Sequence, residues 1–206
     1  MAPIVSVEHK EKRKLIILQA AKEVFIKKGY NATTIQDIIN HSGVSRGGVY
    51  TYFQNTEQIF LEILRRRDLE DEWNLESIYN LAQTNWGALT FLLDQIQEII
   101  NSQSNLLLPA IYEYYFTIGW QTKKHIPLLE ARIKQAMNGF ISIIEKGKNE
   151  KEFSPILPIE DIAGTILTFC DGIYVNCFHL GPEKSNVYKQ FQAFRSYLAL
   201  ALFKNN

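Results

Sequence analysis

From Glu8 to Lys28 the apolar positions recur three and four residues apart, with Ile17, Ala20 and Val24 in one row and Leu18, Ala21 and Phe25 beside it. That period predicts an amphipathic helix with one buried stripe. Its last turn is basic (Lys27, Lys28), and Gly29 stands where a left-handed residue ends a helix. Thr34 followed by Asp37 predicts the capped start of a short second helix, with Thr33 and Gln36 an equally legal register. Ile35, Ile38 and Ile39 supply its buried face. The pattern breaks over His41-Ser42-Gly43-Val44. Ser45 then caps a third short helix reaching about Phe53, and Asn55, with Gln58 three residues on, caps a longer one from Thr56 to about Ile78.

Beyond Gln83-Thr84 the segments Trp86–Asn101, Pro109–Gln121, Ile126–Glu150, Ile159–His179 and Val187–Lys204 read as further helices. Polar or proline-bearing stretches separate them. Pro109 fits a first helical position, where its missing N–H costs nothing. About nine helices are expected, in an all-α fold with a boundary near residue 55: a first domain over 1–55 and a second over 56–206. No turn signal sits between alternating strands, and no repeat is visible.

The 206 residues carry 22 basic and 22 acidic side chains, but the balance is uneven. Residues 1–55 hold eight basic against four acidic groups, a net +4, and the remainder holds −4. A basic first quarter on an acidic body points to a part that meets a polyanion, although a chance split of surface charge would look the same. No apolar run nears the roughly 18 residues a membrane span requires, and the N-terminus lacks the charged and apolar regions of a secretory signal. A cytoplasmic protein with no membrane partner is expected. Cys170 and Cys177 lie seven residues apart, about 10.5 Å along a helix, too far for a disulfide within it. No zinc spacing appears, so neither metal nor cofactor is expected.

Residues 34–60 hold the most specific pattern. Two short helices flank a tight turn with Gly43, and a basic helix precedes them, which is the plan of a helix-turn-helix. Ile38, Val44, Val49 and Phe53 form the small core that fixes the angle between the two helices. Ser45-Arg46-Gly47-Gly48 is then left to enter a major groove. Two glycines in a first helical turn cost about 1 kcal/mol each relative to alanine. They therefore imply a close approach, either to a groove floor or to a neighbouring helix. Tyr50, Thr51 and Tyr52 supply hydroxyls suited to phosphate oxygens.

The run Gly43-Val44-Ser45-Arg46-Gly47-Gly48-Val49-Tyr50-Thr51-Tyr52-Phe53, followed by Asn55-Thr56-Glu57-Gln58-Ile59-Phe60, resembles the signature of the tetracycline-repressor-like transcriptional regulators. The upstream residues Ala20-Ala21, Phe25, Gly29-Tyr30 and Thr34-Ile35-Gln36-Asp37-Ile38 resemble the same family. The resemblance covers about residues 10–62. It implies an all-helical homodimer that binds a palindromic double-stranded DNA operator and is released by a small-molecule effector. It also implies that Ser45, Arg46, Gly47 and Gly48 face base edges, while Thr34, Tyr50, Thr51, Tyr52 and Asn55 contact phosphates. Thr56 stands where the family usually has lysine, and Gly48 where it often has a hydroxyl residue or alanine.

In the second part, Tyr112, Phe116 and Trp120 align at four-residue steps with Glu113 among them. They are either core or one wall of a pocket for a lipophilic or aromatic ligand, in which Glu113 would favour a cation. Phe91, Phe140 and Tyr174 are further pocket candidates. Gly164, Thr168 and Gly172 form a small stripe, and Phe191, Phe194 and Leu198 an apolar one. Both are candidates for a dimer face of paired helices or for packing within the chain. Cys170 and His179 fall on opposite helix faces, so no catalytic centre is expected. A helical ligand-binding protein that does not touch DNA is the alternative, and the basic first quarter argues against it.

Overall fold

A computed structural model describes residues 7–70, 75–102 and 107–203. Among them are eleven helices and no strand, in keeping with the expected all-α class. They are α1 (Val7–Lys28), α2 (Ile35–Ser42), α3 (Arg46–Tyr50), α4 (Thr56–Glu70), α5 (Leu75–Ala82), α6 (Asn85–Ser102), α7 (Leu108–Phe116), α8 (Ile118–Thr122), α9 (Ile126–Asn149), α10 (Ile159–Leu180) and α11 (Val187–Leu202). The helix predicted over Thr56–Ile78 is described on either side of residues 71–74, which lie outside the described set, as α4 and α5. The helix predicted over Pro109–Gln121 is two, parted at Thr117 with φ −118° and ψ −104°.

The chain divides into two compact units that do not follow the expected boundary after residue 55. One takes Met1–Glu72 with Leu106–Leu128, and the other takes Trp73–Asn105 with Leu129–Asn206. The first unit thus joins the helix-turn-helix to α4, α7 and α8. Its core is one cluster that includes Ile17, Phe25, Ile38, Val49, Phe53, Phe60 and Tyr114. Phe25 meets Phe60 edge-on at 4.7 Å between centroids, Tyr30 meets Tyr114 at 4.8 Å, and Phe60 meets Tyr114 at 5.2 Å. Aromatic pairs at such distances add roughly 0.5–1.5 kcal/mol each beyond their burial. This shared core is why α7 belongs to the first unit despite starting 38 residues beyond the end of α4 (108 − 70).

In the second unit α6, α9, α10 and α11 close around Leu89, Leu93, Phe140, Ile144, Ile166, Ile173 and Phe191. The backbone N–H groups of Asn85 and Trp86 both donate to the Glu152 carboxylate at 2.8 Å. A distant acid thereby satisfies two of the donors that a helix start leaves open. Cys170 and Cys177 are buried and not bridged. Burial, with Asp171 adding to it, pushes the Cys170 thiol up to about 12.

Candidate nucleic-acid interface

The interface begins with how α2 starts. Thr34 is extended, its side chain accepts from the Asp37 backbone N–H at 3.2 Å, and Asp37 accepts from the Thr34 backbone at 2.9 Å. This reciprocal cap is the register expected for Thr34 and Asp37. It also occupies Thr34: the hydroxyl lies 2.7 Å from the Asp37 carboxylate and gives its one proton there. A phosphate bond from that hydroxyl, as expected from the sequence, would have to displace Asp37. Asp37 further pairs with Lys28 at 2.7 Å, and Lys28 and Thr34 hold its carboxyl down at about 2.

Gly43 ends α2 in the left-handed region at φ 65°, which glycine adopts without steric cost. The chain then turns into Ser45, whose side chain accepts from the Gly48 N–H at 3.3 Å and caps α3. Ile38, Val44, Val49 and Phe53 are all buried between the helices, as the sequence pattern predicts. Ser45, Arg46 and Gly47 are exposed together at the start of α3.

The two glycines differ. A Cβ built on Gly47 meets nothing within 4 Å, so no neighbouring helix requires a glycine there. A Cβ on Gly48 would stand 2.8 Å from Val44 Cγ1 and 3.1 Å from Ser45 Oγ. Gly48 is small because the turn packs on it, whereas no described residue packs on Gly47.

Tyr50 is half-buried and its ring lies under the Arg46 guanidinium, 5.6 Å from centroid to Cζ. Thr51 is exposed, but its hydroxyl donates to the Gly47 carbonyl at 2.8 Å. Tyr52 is half-buried against the core cluster. Asn55 accepts from the Gln58 N–H at 2.9 Å through Oδ1 and caps α4 as expected. Gln58 reaches back to the Gln54 N–H at 2.8 Å. Arg46, Tyr50, Tyr52 and Asn55 thus keep donors available to a ligand, whereas Thr34 and Thr51 have spent theirs.

Two acidic hubs escaped the sequence reading. Glu62 on α4 receives Lys14 at 2.7 Å, Arg65 at 2.9 Å and Arg66 at 2.9 Å, and Arg66 also pairs with Glu11. Arg65 first, with Lys14 and Arg66, holds the Glu62 carboxyl at about 2 against the opposing effect of burial. Glu57 receives Tyr114 OH at 3.1 Å, Thr122 at 3.0 Å and Lys124 at 2.6 Å. Burial pushes Glu57 up, but those three bonds outweigh it and leave the carboxyl below its usual range. Glu57 stands in a helical first turn, a weak sequence signal, and its partners 57, 65 and 67 residues away leave none. At Glu62 the i+3 and i+4 arginines are local, but Lys14 is 48 residues away.

The effector candidates do not form one wall. The break at Thr117 interrupts the stripe of Tyr112, Phe116 and Trp120. Tyr112 stacks on Phe116 at 6.0 Å, Phe116 and Trp120 are strongly exposed, and Lys123 covers the Trp120 ring at 3.4 Å. Glu113 is not in an aromatic cage. Its carboxylate accepts the Asn31 backbone N–H at 3.1 Å and lies against Gly29. In the second unit Phe140 is fully buried in the core, which argues against a pocket-wall role, while Phe91 and Tyr174 pack half-buried against the same cluster.

The dimer candidates divide as well. Phe191, Phe194 and Leu198 are buried within the chain, and Phe169 stacks on Phe194 at 3.9 Å. The apolar stripe of α11 therefore packs within the chain, one of the two readings its spacing left open. On α10, Thr168 and Gly172 are exposed, and a Cβ on Gly164 or Gly172 meets nothing within 4 Å. The small stripe remains open.

Among the described residues no helix is long and apolar enough to cross a membrane, and no group of three or more His, Cys, Asp or Glu could hold a metal. A helix-turn-helix whose second helix is capped and exposed is the fold of a DNA-binding regulator of transcription. Residues 17–63 match the family described as bacterial regulatory proteins, tetR family, and residues 88–188 match the tetracyclin repressor-like C-terminal domain. The chain is 35% identical over 202 residues to the HTH-type transcriptional regulator YfiR of Bacillus subtilis, covering 98% of each protein. It is 36% identical over 103 residues to the HTH-type transcriptional regulator QacR of Staphylococcus aureus, covering 49% of this chain and 55% of that one. A solved TetR transcription regulator of Haloarcula marismortui superposes with a TM-score of 0.78 at 19% identity, covering 93% of this chain and 99% of the other, a likeness of fold. The protein belongs to the tetracycline-repressor family of transcriptional regulators.

Proposed function

We propose that the chain is a cytoplasmic, ligand-responsive repressor that binds a palindromic operator as a homodimer and leaves it when a small lipophilic or aromatic molecule binds. The observation that carries the DNA-reading part is the exposed start of α3, where Ser45, Arg46 and Gly47 face outward beside an unfilled space at Gly47. Base edges are read by Arg46 with Ser45, Gly47 and Gly48 close to the groove floor, and Tyr52 and Asn55 serve phosphates. Dimerisation through the small stripe Gly164, Thr168 and Gly172 sets the two reading helices about 34–36 Å apart, one turn of duplex. Effector candidates are Tyr112, Phe116 and Trp120 in the first unit, and Phe91 and Tyr174 in the second. Catalysis is no part of this reading: Cys170 is buried, and that burial pushes its thiol up to about 12.

The test is selection of bound duplexes from a randomised library, followed by titration of the enriched sequence. Arg46→Ala is expected to weaken binding by about 1–3 kcal/mol, concentrated at one guanine in each half-site. Equal affinity of wild type and variant for the enriched duplex would remove the assignment of α3 as the reading helix. No enrichment at all would favour a helical ligand-binding protein that does not touch DNA.

A further inference from the structure

The side chains of α3 are unequal in what holds them. Ser45 is fixed by its bond to the Gly48 N–H, and Thr51 by its bond to the Gly47 carbonyl. Gly47 and Gly48 have no side chain to brace a neighbour. Arg46 sits on this bare first turn, exposed, with no acidic partner among the described residues. A long side chain in that setting spreads over many rotamers, and ordering it at a base edge forfeits that freedom.

The ring of Tyr50 is placed to limit the loss. Helical side chains lean toward the N-terminus, so the ring one turn later covers the surface beside residue i−4. Tyr50 is itself held, because it packs half-buried against the cluster that contains Val49 and Phe53. Its face lies 5.6 Å from the Arg46 guanidinium carbon, within the range in which a cation is attracted to an aromatic quadrupole. A guanidinium held by its face keeps the edge donors that read a guanine.

We propose that Tyr50 is a positioning residue for base reading: its ring, not its hydroxyl, holds Arg46 in the orientation that discriminates between bases. This rests on the DNA-reading assignment of α3 and deepens it. A tyrosine that served only a phosphate would add affinity evenly on all sequences, because phosphates carry no sequence information. A tyrosine that orders Arg46 adds affinity only where Arg46 finds its base.

The two roles separate with two substitutions. The probe is the duplex enriched by the full-length chain from a randomised library, together with the same duplex altered at the base pair whose preference Arg46→Ala erases. Affinities are read by fluorescence anisotropy at one fixed salt concentration. Tyr50→Phe keeps the ring and is expected to keep the wild-type preference ratio. Tyr50→Leu keeps an apolar side chain for the core and is expected to lower that ratio about threefold, the factor that an exposed contact of this kind supports. Its affinity for the altered duplex is expected to change little, and that measurement also reports whether the variant is folded. Tyr50→Trp should hold the ratio as Tyr50→Phe does. The proposal is overturned if Tyr50→Phe and Tyr50→Leu weaken both duplexes alike, which assigns the hydroxyl to a phosphate, or if Tyr50→Leu leaves the ratio unchanged. If the wild type enriches no duplex, the DNA reading itself fails and this role falls with it.

Discussion

Glu113 on α7 accepts a hydrogen bond from the backbone N–H of Asn31 at 3.1 Å, joining positions 82 residues apart. The turn it grips is built on Gly29, which ends α1 at φ 78°, and the same carboxylate would stand 2.5 Å from a Cβ placed there. Two separate effects therefore disfavour a side chain at position 29. Gly29→Ala is expected to destabilise the protein by about 1–2 kcal/mol through its left-handed backbone alone, and by more through the clash. In a Glu113→Ala background only the backbone effect remains, so the second Gly29→Ala step should cost less. Chemical denaturation of the four proteins checks this. Strictly additive losses would show that the carboxylate does not constrain the turn.

The adjacent glycines of α3 predict opposite outcomes. Gly47→Ala adds a methyl into open space on a helix and is expected to raise stability by up to about 1 kcal/mol. The same methyl occupies the space offered to a groove floor, so operator affinity should fall. Gly48→Ala pushes a methyl to 2.8 Å from Val44 and 3.1 Å from the capping Ser45, and should lower the melting temperature. Thermal melts and duplex titrations on both variants decide it. Gly47→Ala binding the enriched duplex like wild type would mean that no surface approaches that position.

The first unit was readable because its signals are local. Thr34 and Asp37 are three residues apart, Gly43 marks its own turn, and Ile38, Val44, Val49 and Phe53 are the apolar positions of one short segment. The break at Thr117 has no such mark, for neither proline nor glycine stands at the break itself. The Thr117 hydroxyl lies 3.0 Å from Asn31 Oδ1, a partner 86 residues away that no local pattern announces, and 2.6 Å from the Glu113 carbonyl one turn earlier. A Cβ on Gly119 would stand 2.7 Å from the Tyr114 carbonyl, so this fold of the backbone needs glycine there. Phe191, Phe194 and Leu198 show another limit. Periodicity says that one face of α11 is covered, but it is silent on whether the cover comes from the same chain.

Acid should unsettle the first unit over a window in which Asp37 and Glu62 are strongly depressed and Glu57 is depressed as well. Asp37 and Glu62 are both held at about 2, by Lys28 with Thr34 and by Arg65 with Lys14 and Arg66. A carboxyl depressed in the folded state contributes stability that is complete above its unfolded value near 4 and lost as pH falls toward 2. Unfolding free energy should therefore drop between about pH 4.5 and pH 2. Glu62→Gln removes one of these contributions, so its stability should already be lower at neutral pH and should fall less steeply across that window. A variant whose pH profile matches the wild type in slope would show that the Glu62 network does not hold this unit together.

The dimer face can be separated from the core by two substitutions in the second unit. Gly172 lies exposed on α10 with nothing within 4 Å of its would-be Cβ, as does the half-buried Gly164 two turns earlier. Small residues in such a row let a second helix approach closely. Gly172→Leu fills that space, yet it improves helix propensity by nearly 1 kcal/mol, so the single chain should fold at least as well. Analytical ultracentrifugation of this variant should show monomer at micromolar concentration, and operator binding should be lost because one reading helix cannot span two half-sites. Phe194 is buried and stacked on Phe169, so Phe194→Ala should cost about 3–5 kcal/mol of chain stability whatever the assembly. The pair of results assigns the surfaces: an unstable Phe194→Ala beside a stable, monomeric Gly172→Leu places the partner on α10. A Gly172→Leu protein that sediments as a dimer and still binds the enriched duplex would take the small stripe out of the interface.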